Sequence, residues 1–280
     1  EVDPSEVGVP AIYPDVPLVR EDIAGYYMGI QRADARVGAM LRALEDSGRL
    51  AGSIIMFVGD QGMSFHRAKS SLYHLGQHVP AAMWVPGGPA GQRRIEFVSH
   101  VDYAPTLLDL AGLDVPATMQ GHSLRPLLEG RESVDWRGYV VSEHNAHDPN
   151  PETILPQRTV IGDRFQYIRN YMPERRYTHT ADQTDQELWK ALTYRAVLES
   201  RDEWPEQYAI LTDMDFRPME ELYDLHTDPA ELRNLALDDR YAFALNDMRG
   251  KLEDWQREFD DVTDPEYYLH FRRRDASAAD

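Results

Sequence analysis

The 280-residue chain is 42% hydrophobic, enough to bury the core of one large domain or of a domain with an appendage. It has no cysteine, which excludes disulfides and thiolate metal sites without identifying a compartment, and 29 basic against 48 acidic side chains leave a net charge of -19. That charge disfavours broad contact with nucleic acid or an anionic membrane, so an anionic ligand requires local cations. No apolar run approaches the length of a membrane span, and the opening Glu1-Val2-Asp3-Pro4 has neither a basic start nor an apolar segment, so no signal peptide is expected in it.

Residues 1 to 19 hold four prolines and few apolar pairs, which suits an extended surface segment. From Arg20 to Ser47, Ile23, Tyr27, Ile30, Val37, Leu41 and Leu44 recur on one helical face, and Gly48 supplies the stop. Asp34 falls on that stripe, where a buried carboxylate needs a partner, so it is expected either to cap or bridge neighbouring structure or to reach toward a site. The run Ile54 to Val58, flanked by Gly52 and Gly59, reads as a strand buried on both faces. Asp60-Gln61-Gly62 follow it directly. Asp60 is then either an acid at the carboxyl end of a central strand, where open α/β sheets place ligands, or the cap of a turn. Ser64 to Pro80 carries three His, one Lys and one Arg on a loop, and Ala81 to Val85 resumes the sheet. Helix, short turn and buried strand make half of a βαβ unit, hence a mostly parallel sheet.

Farther along, Asp102 is expected as the N-cap of a helix with Pro105 in its first turn and Gly112 at its end. A cap and a loop imidazole account for Asp102 and His100 without a metal. A short amphipathic piece follows at Ser123 to Leu128. Trp136 to Ser142 reads as a strand that runs into a polar cluster, Glu143 to Asp148, at its end. Gln157 to Asn170 reads as a β-hairpin with Gly162-Asp163 as its turn. Residues 173 to 219 are rich in charge, Tyr and Trp, with helical spacing at Leu188, Leu192 and Leu198, and read as an insertion or lid. Glu220 to Leu225 is expected as a final strand, Tyr241 to Phe259 as a closing helix, and the residues from Arg272 as a loose tail.

Several of these strings together carry a resemblance. Asp60-Gln61-Gly62, Lys69, Leu72-Tyr73 and Val79-Pro80 are followed by Asp102 to Gly112 (DYAPTLLDLAG) and Gly121-His122-Ser123-Leu124. That order resembles the second half of the sulfatase family. Glu221 to Leu225, Asp228-Pro229, Glu231 and Asn234-Leu235-Ala236 are similar to the family's small C-terminal subdomain, and the branch most similar is heparan N-sulfatase. The resemblance spans roughly residues 1 to 262. It implies an α/β fold of the alkaline phosphatase and sulfatase type: a mostly parallel sheet flanked by helices, with a small C-terminal α+β subdomain containing an antiparallel sheet. Residues 1–135 would belong to the catalytic domain, 136–262 to the subdomain with a lid-like segment at 171–219, and 263–280 to a tail.

The implied activity is hydrolysis of sulfate esters or sulfamates, on a sulfated saccharide, with one divalent cation (Ca2+) and a formylglycine nucleophile. The sequence departs from the family here: formylglycine arises in a Cys/Ser-x-Pro-x-Arg setting, and neither form occurs in the chain. The 280 residues are therefore expected to be the C-terminal portion of a longer enzyme, inactive alone, in a periplasmic, secreted or lysosomal-type compartment. Asp60 and Gln61 match the family's paired metal ligands, where the second is usually Asn or His; an amide oxygen also suits a hard cation. Lys69 matches the loop cation that contacts the sulfate. His66 or His74 are candidates to line the pocket, His144 and His147 to bring groups to the substrate from a strand end, and Arg158 to pair with a substrate carboxylate or sulfate through its planar fork. Protomer assembly stays open, as do two alternatives: a phosphodiesterase or phosphonate hydrolase of the same superfamily, and a non-catalytic binding module.

Overall fold

The computed structural model of the chain describes residues 1–131, 135–146, 153–177 and 191–268. They divide into two compact units, one of residues 1–35, 60–79 and 141–280 and the other of residues 36–59 and 80–140.

The smaller unit contains the end of helix α1 (Pro17–Asp46) from Arg36 on, strands β1 (Ile55–Val58) and β2 (Ala81–Trp84), and helices α3 (Tyr103–Leu110) and α4 (Arg125–Leu128). The apolar stripe of α1 is buried only at its start, at Val19, Ile23 and Ala24; Ile30 is 49% exposed and Asp34 lies in solvent. Asp34 thus needs no buried partner, contrary to the expectation from the stripe. β1 and β2 are antiparallel, with Ile55 opposite Trp84 and Val58 opposite Ala81. A parallel pairing was expected. The physical reason is that the 59–80 connection has no helix long enough to cross a sheet, only the single turn α2 (His74–Gln77), and returns to the end it left, where the Gly59 amide donates to the Pro80 carbonyl at 2.8 Å. The strand is not buried on both faces within these residues, since Phe57 stays 46% exposed.

The motif around residues 99–124 proves to be a structural clasp. Asp102 is fully buried, and its side chain caps the turn that begins at Ser99, one step before α3, by accepting the Ser99 amide at 2.8 Å. Its other oxygen accepts the His122 amide at 2.8 Å and the Arg137 guanidinium at 2.6 Å. Thr106 Oγ1 donates to the Asp102 carbonyl and accepts the Leu124 amide. Gly121 is required because a β-carbon there would overlap the Val101 carbonyl, and Gly112, at φ +72, lets the Leu113 amide close the end of α3 on the Leu108 carbonyl.

In the larger unit the strands β3 (Tyr139–Ala146), β4 (Ile154–Gly162), β5 (Phe165–Asn170) and β6 (Glu220–Asp224) lie side by side in that order, with β4/β5 and β5/β6 antiparallel. The hairpin turns at Asp163-Arg164, one residue beyond the expected pair, because Ile161 stands opposite Gln166. Residues 143 to 146 lie inside β3 and not past its end. Two helices, α5 (Leu192–Glu199) and α6 (Pro205–Asp213), occupy part of the expected insertion, and Leu188 lies outside the described residues. The closing helix α7 (Ala242–Glu258) lays Leu245, Met248 and Leu252 against β4 and β5.

The N-terminal segment is not a surface strap. Val7, Ile12 and Tyr13 are buried in one cluster with Val19, Phe65, Ala68 and Ala196. This irregular backbone is tolerated because Arg20 reaches back to the carbonyls of Ser5 and Val7, each at 3.0 Å, while Asp15 holds the guanidinium.

Candidate active site

β1 delivers the chain to Gly59, whose amide is held by Pro80 and whose carbonyl meets His100 Nε2 at 3.0 Å. Asp60 and Gln61 come next. Both are exposed, and neither side chain makes a hydrogen bond or ion pair among the described residues. An unpaired carboxylate beside an amide oxygen is a fitting pair of donors for a hard cation, but calcium takes about six to eight oxygens. Among the described residues no cluster of three or more His, Asp, Glu or Cys side chains completes such a site.

Beyond Gly62 the loop folds on itself, because glycines let its backbone segments touch: Gly62 packs on the backbone of Leu75 and Gly76, and Gly76 packs on the carbonyls of Ala68 and Ser71. Lys69 is thereby brought back to Met63, its amide donating to the Met63 carbonyl at 3.1 Å. The side chain is half-buried and makes no ion pair among the described residues. A cation in that state is open to an anionic ligand, whereas the surface arginines of the chain are mostly paired with acids.

His74 begins α2. Its amide donates to Glu231 Oε2 at 2.7 Å, its Nδ1 is buried without a partner among the described residues, and its ring lies 4.7 Å from that of His78. Burial, followed by the neighbouring His78, holds its pKa below the ordinary value. His66 meets the rings of Tyr13 and Tyr194 edge-on, so it packs beside the core cluster. His144 is half-buried within β3, and His147 lies outside the described residues.

Arg158 does not stand where a substrate could reach it. It is fully buried, donating to both oxygens of Asp261 at 2.9 and 2.6 Å, to Asn145 Oδ1 and the Gln157 carbonyl at 2.7 Å, and to the Val262 carbonyl at 3.1 Å. Every nitrogen of the guanidinium is engaged, so its planar fork ties β4 to β3 and to the residues after α7 instead of binding a ligand.

A sequence profile described as "Sulfatase" matches residues 6–113, and one described as "N-sulphoglucosamine sulphohydrolase, C-terminal" matches residues 64–196. The chain belongs to the sulfatase family. It is 33% identical to an ulvan-active sulfatase of Formosa agariphila over 272 residues, covering 95% of this chain and 43% of that protein. It is 30% identical to human N-sulphoglucosamine sulphohydrolase over 270 residues, 92% of this chain and 52% of the relative. This sulfatase chain thus spans about half the length of the curated relatives it matches. Two solved structures share its fold: a protein in complex with its substrate D-glucosamine-2-N,6-O-disulfate (TM-score 0.65, 24% identity, 90% of this chain and 44% of that one) and a phosphonate monoester hydrolase of Agrobacterium radiobacter (TM-score 0.63, 24% identity, 87% and 42%). These neighbours place the chain in the α/β fold of the alkaline phosphatase type, although the pairs β1/β2, β4/β5 and β5/β6 are antiparallel.

Sequence reasoning missed the residues that hold this loop in place. Glu221, 2% exposed, accepts the hydroxyls of Tyr73 and Tyr223 at 2.8 and 2.6 Å and the Asn170 amide at 2.7 Å. Glu231 takes the His74 amide, and its backbone carbonyl takes Arg67. Both acids sit in strings that pointed to the family, but an acid in a C-terminal motif carries no sign of the loop it meets 150 residues earlier.

Proposed function

We propose that the chain is the C-terminal portion of a sulfatase that hydrolyses sulfate esters or sulfamates of sulfated sugars. The observation that supports this is the 59–80 loop, which presents the side chains of Asp60, Gln61 and Lys69 without partners among the described residues, in the order expected of the family. A second portion of the enzyme carries the nucleophile and the remaining metal ligands, since no Cys/Ser-x-Pro-x-Arg segment occurs here. In this reading Asp60 and Gln61 contribute two oxygens to a calcium site. A bound calcium would supply positive charge against the nonbridging sulfuryl oxygens.

The remaining chemistry follows from this chain's own side chains. Sulfuryl transfer gathers negative charge on oxygens as the bond to the departing oxygen or nitrogen breaks, and an unpaired cation held in place stabilises that charge most where water is thin. Lys69 is such a cation. His74, whose charged form burial and His78 disfavour, contributes shape and a hydrogen-bonding ring to the pocket wall. His144 and His147 stand as further candidates for substrate contact.

The test is Asp60→Ala in the full-length enzyme, assayed on a small aryl sulfate and on a sulfated disaccharide, with and without chelator. Loss of both activities in a protein that still folds is expected. Wild-type turnover in the variant, or activity indifferent to chelation, overturns the metal assignment. Faster turnover of a phosphonate monoester than of any sulfate would favour the hydrolase class of the second structural neighbour.

A further inference from the structure

Lys69 stands between two residues with left-handed backbone, Arg67 at φ +59 and Ser70 at φ +63. Neither is glycine, and such backbone persists only where surrounding contacts over-determine it. Those contacts come from the antiparallel subdomain. The Arg67 guanidinium donates to the carbonyls of Ala230 and Glu231 and lies 4.2 Å over the Tyr73 ring. On the other side of Lys69, the Ser70 carbonyl accepts the Tyr177 hydroxyl at 2.7 Å.

Tyr177 is a fixed strut. It is 4% exposed, its amide donates to the Asp215 carbonyl at 2.7 Å, and the Arg217 guanidinium lies 3.9 Å over its ring while donating to Gln157 Oε1 of β4 at 2.6 Å. A ring so enclosed has no face for a sugar, so the aromatic character of the 171–219 stretch has another use at this position.

We propose that Tyr177 is a positioning residue for Lys69: its hydroxyl holds the Ser70 carbonyl, and with it the left-handed backbone on which the lysine stands. This rests on Lys69 being the cation that meets the sulfuryl group. Phenylalanine at 177 keeps the ring, the burial and the Arg217 stacking but cannot donate to Ser70, so the loop relaxes into a mixture of conformers of which only some present the ammonium productively.

The experiment compares wild type, Tyr177→Phe, Lys69→Ala and the double variant of the full-length enzyme on a small aryl sulfate. Tyr177→Phe is expected to lower kcat about tenfold, the order expected for one lost hydrogen bond, with KM within about twofold and the melting temperature little changed. In the Lys69→Ala background the same substitution should have no further effect, because no ammonium remains to be positioned. An equal fall in both backgrounds, or an unchanged kcat in Tyr177→Phe alone, overturns the proposal. Wild-type turnover by Lys69→Ala instead overturns the role of the lysine itself. Where Lys69→Ala is too slow to compare, Ser70→Gly serves: glycine adopts φ +63 without help, so adding it to Tyr177→Phe should restore most of kcat, and no recovery overturns the proposal.

Discussion

Glu231→Gln offers a quantitative probe of how the active-site loop is held. Glu231 is 3% exposed; its Oε2 accepts one amide, from His74 at 2.7 Å, and its Oε1 has no partner among the described residues. Arg67, whose charge bears on the carboxylate, directs its donors at the backbone carbonyls of Ala230 and Glu231 and leaves the carboxylate under-satisfied. Burial therefore pushes the acid from its ordinary value of 4.5 up to about 8, with the charge of Arg67 opposing. Between those values the unfolded chain has released a proton that the folded chain retains. Stability from this group is full below the unfolded value and falls as pH rises through the window, by at most about 1.4 kcal/mol for each pH unit. Glutamine has the shape of the neutral acid and does not titrate. Unfolding free energies from urea melts at pH 5, 6.5 and 8 should thus shift in favour of the variant as pH rises, by up to about 4 kcal/mol between the extremes. A difference between variant and wild type that is the same at all three pH values would refute burial of an under-satisfied carboxylate as the cause.

Lys69→Ala in the full-length enzyme should lower kcat more than it raises KM, as for a charge that acts where negative charge builds up, and steady-state kinetics showing only a raised KM would reduce it to a generic electrostatic contact. Arg158→Met should leave substrate affinity unchanged and destabilise the fold by about 3–5 kcal/mol, read by denaturant melts, because it strands the buried carboxylate of Asp261. Gly121→Ala should cost about 1–3 kcal/mol, since its β-carbon collides with the Val101 carbonyl, and an unchanged melting temperature would show that the clasp around Asp102 yields freely.

Sequence alone was sufficient for what depends on local chemistry and short spacing. The long first helix, the β1 strand that leads into Asp60-Gln61, the hairpin, the last strand and the closing helix were legible from periodicity and turn residues, because each repeats its signal over several positions. The Asp102 and Gly121 motifs were legible as a family signature, though not as a clasp. Tertiary structure decided the rest. The direction of β2 against β1 depended on where the 59–80 loop returns, which no residue in either strand encodes. Burial of Val7, Ile12 and Tyr13 came from distant partners such as Ala196, with no periodic pattern to announce it. Arg158 offered the same fork to a substrate or to Asp261, and only the fold chose the acid 103 residues away. The acids that brace the lysine-bearing loop, Glu221 and Glu231, act across about 150 residues of chain, and a side chain's type reports what it can bond to, whereas only the folded backbone determines which partner comes within reach.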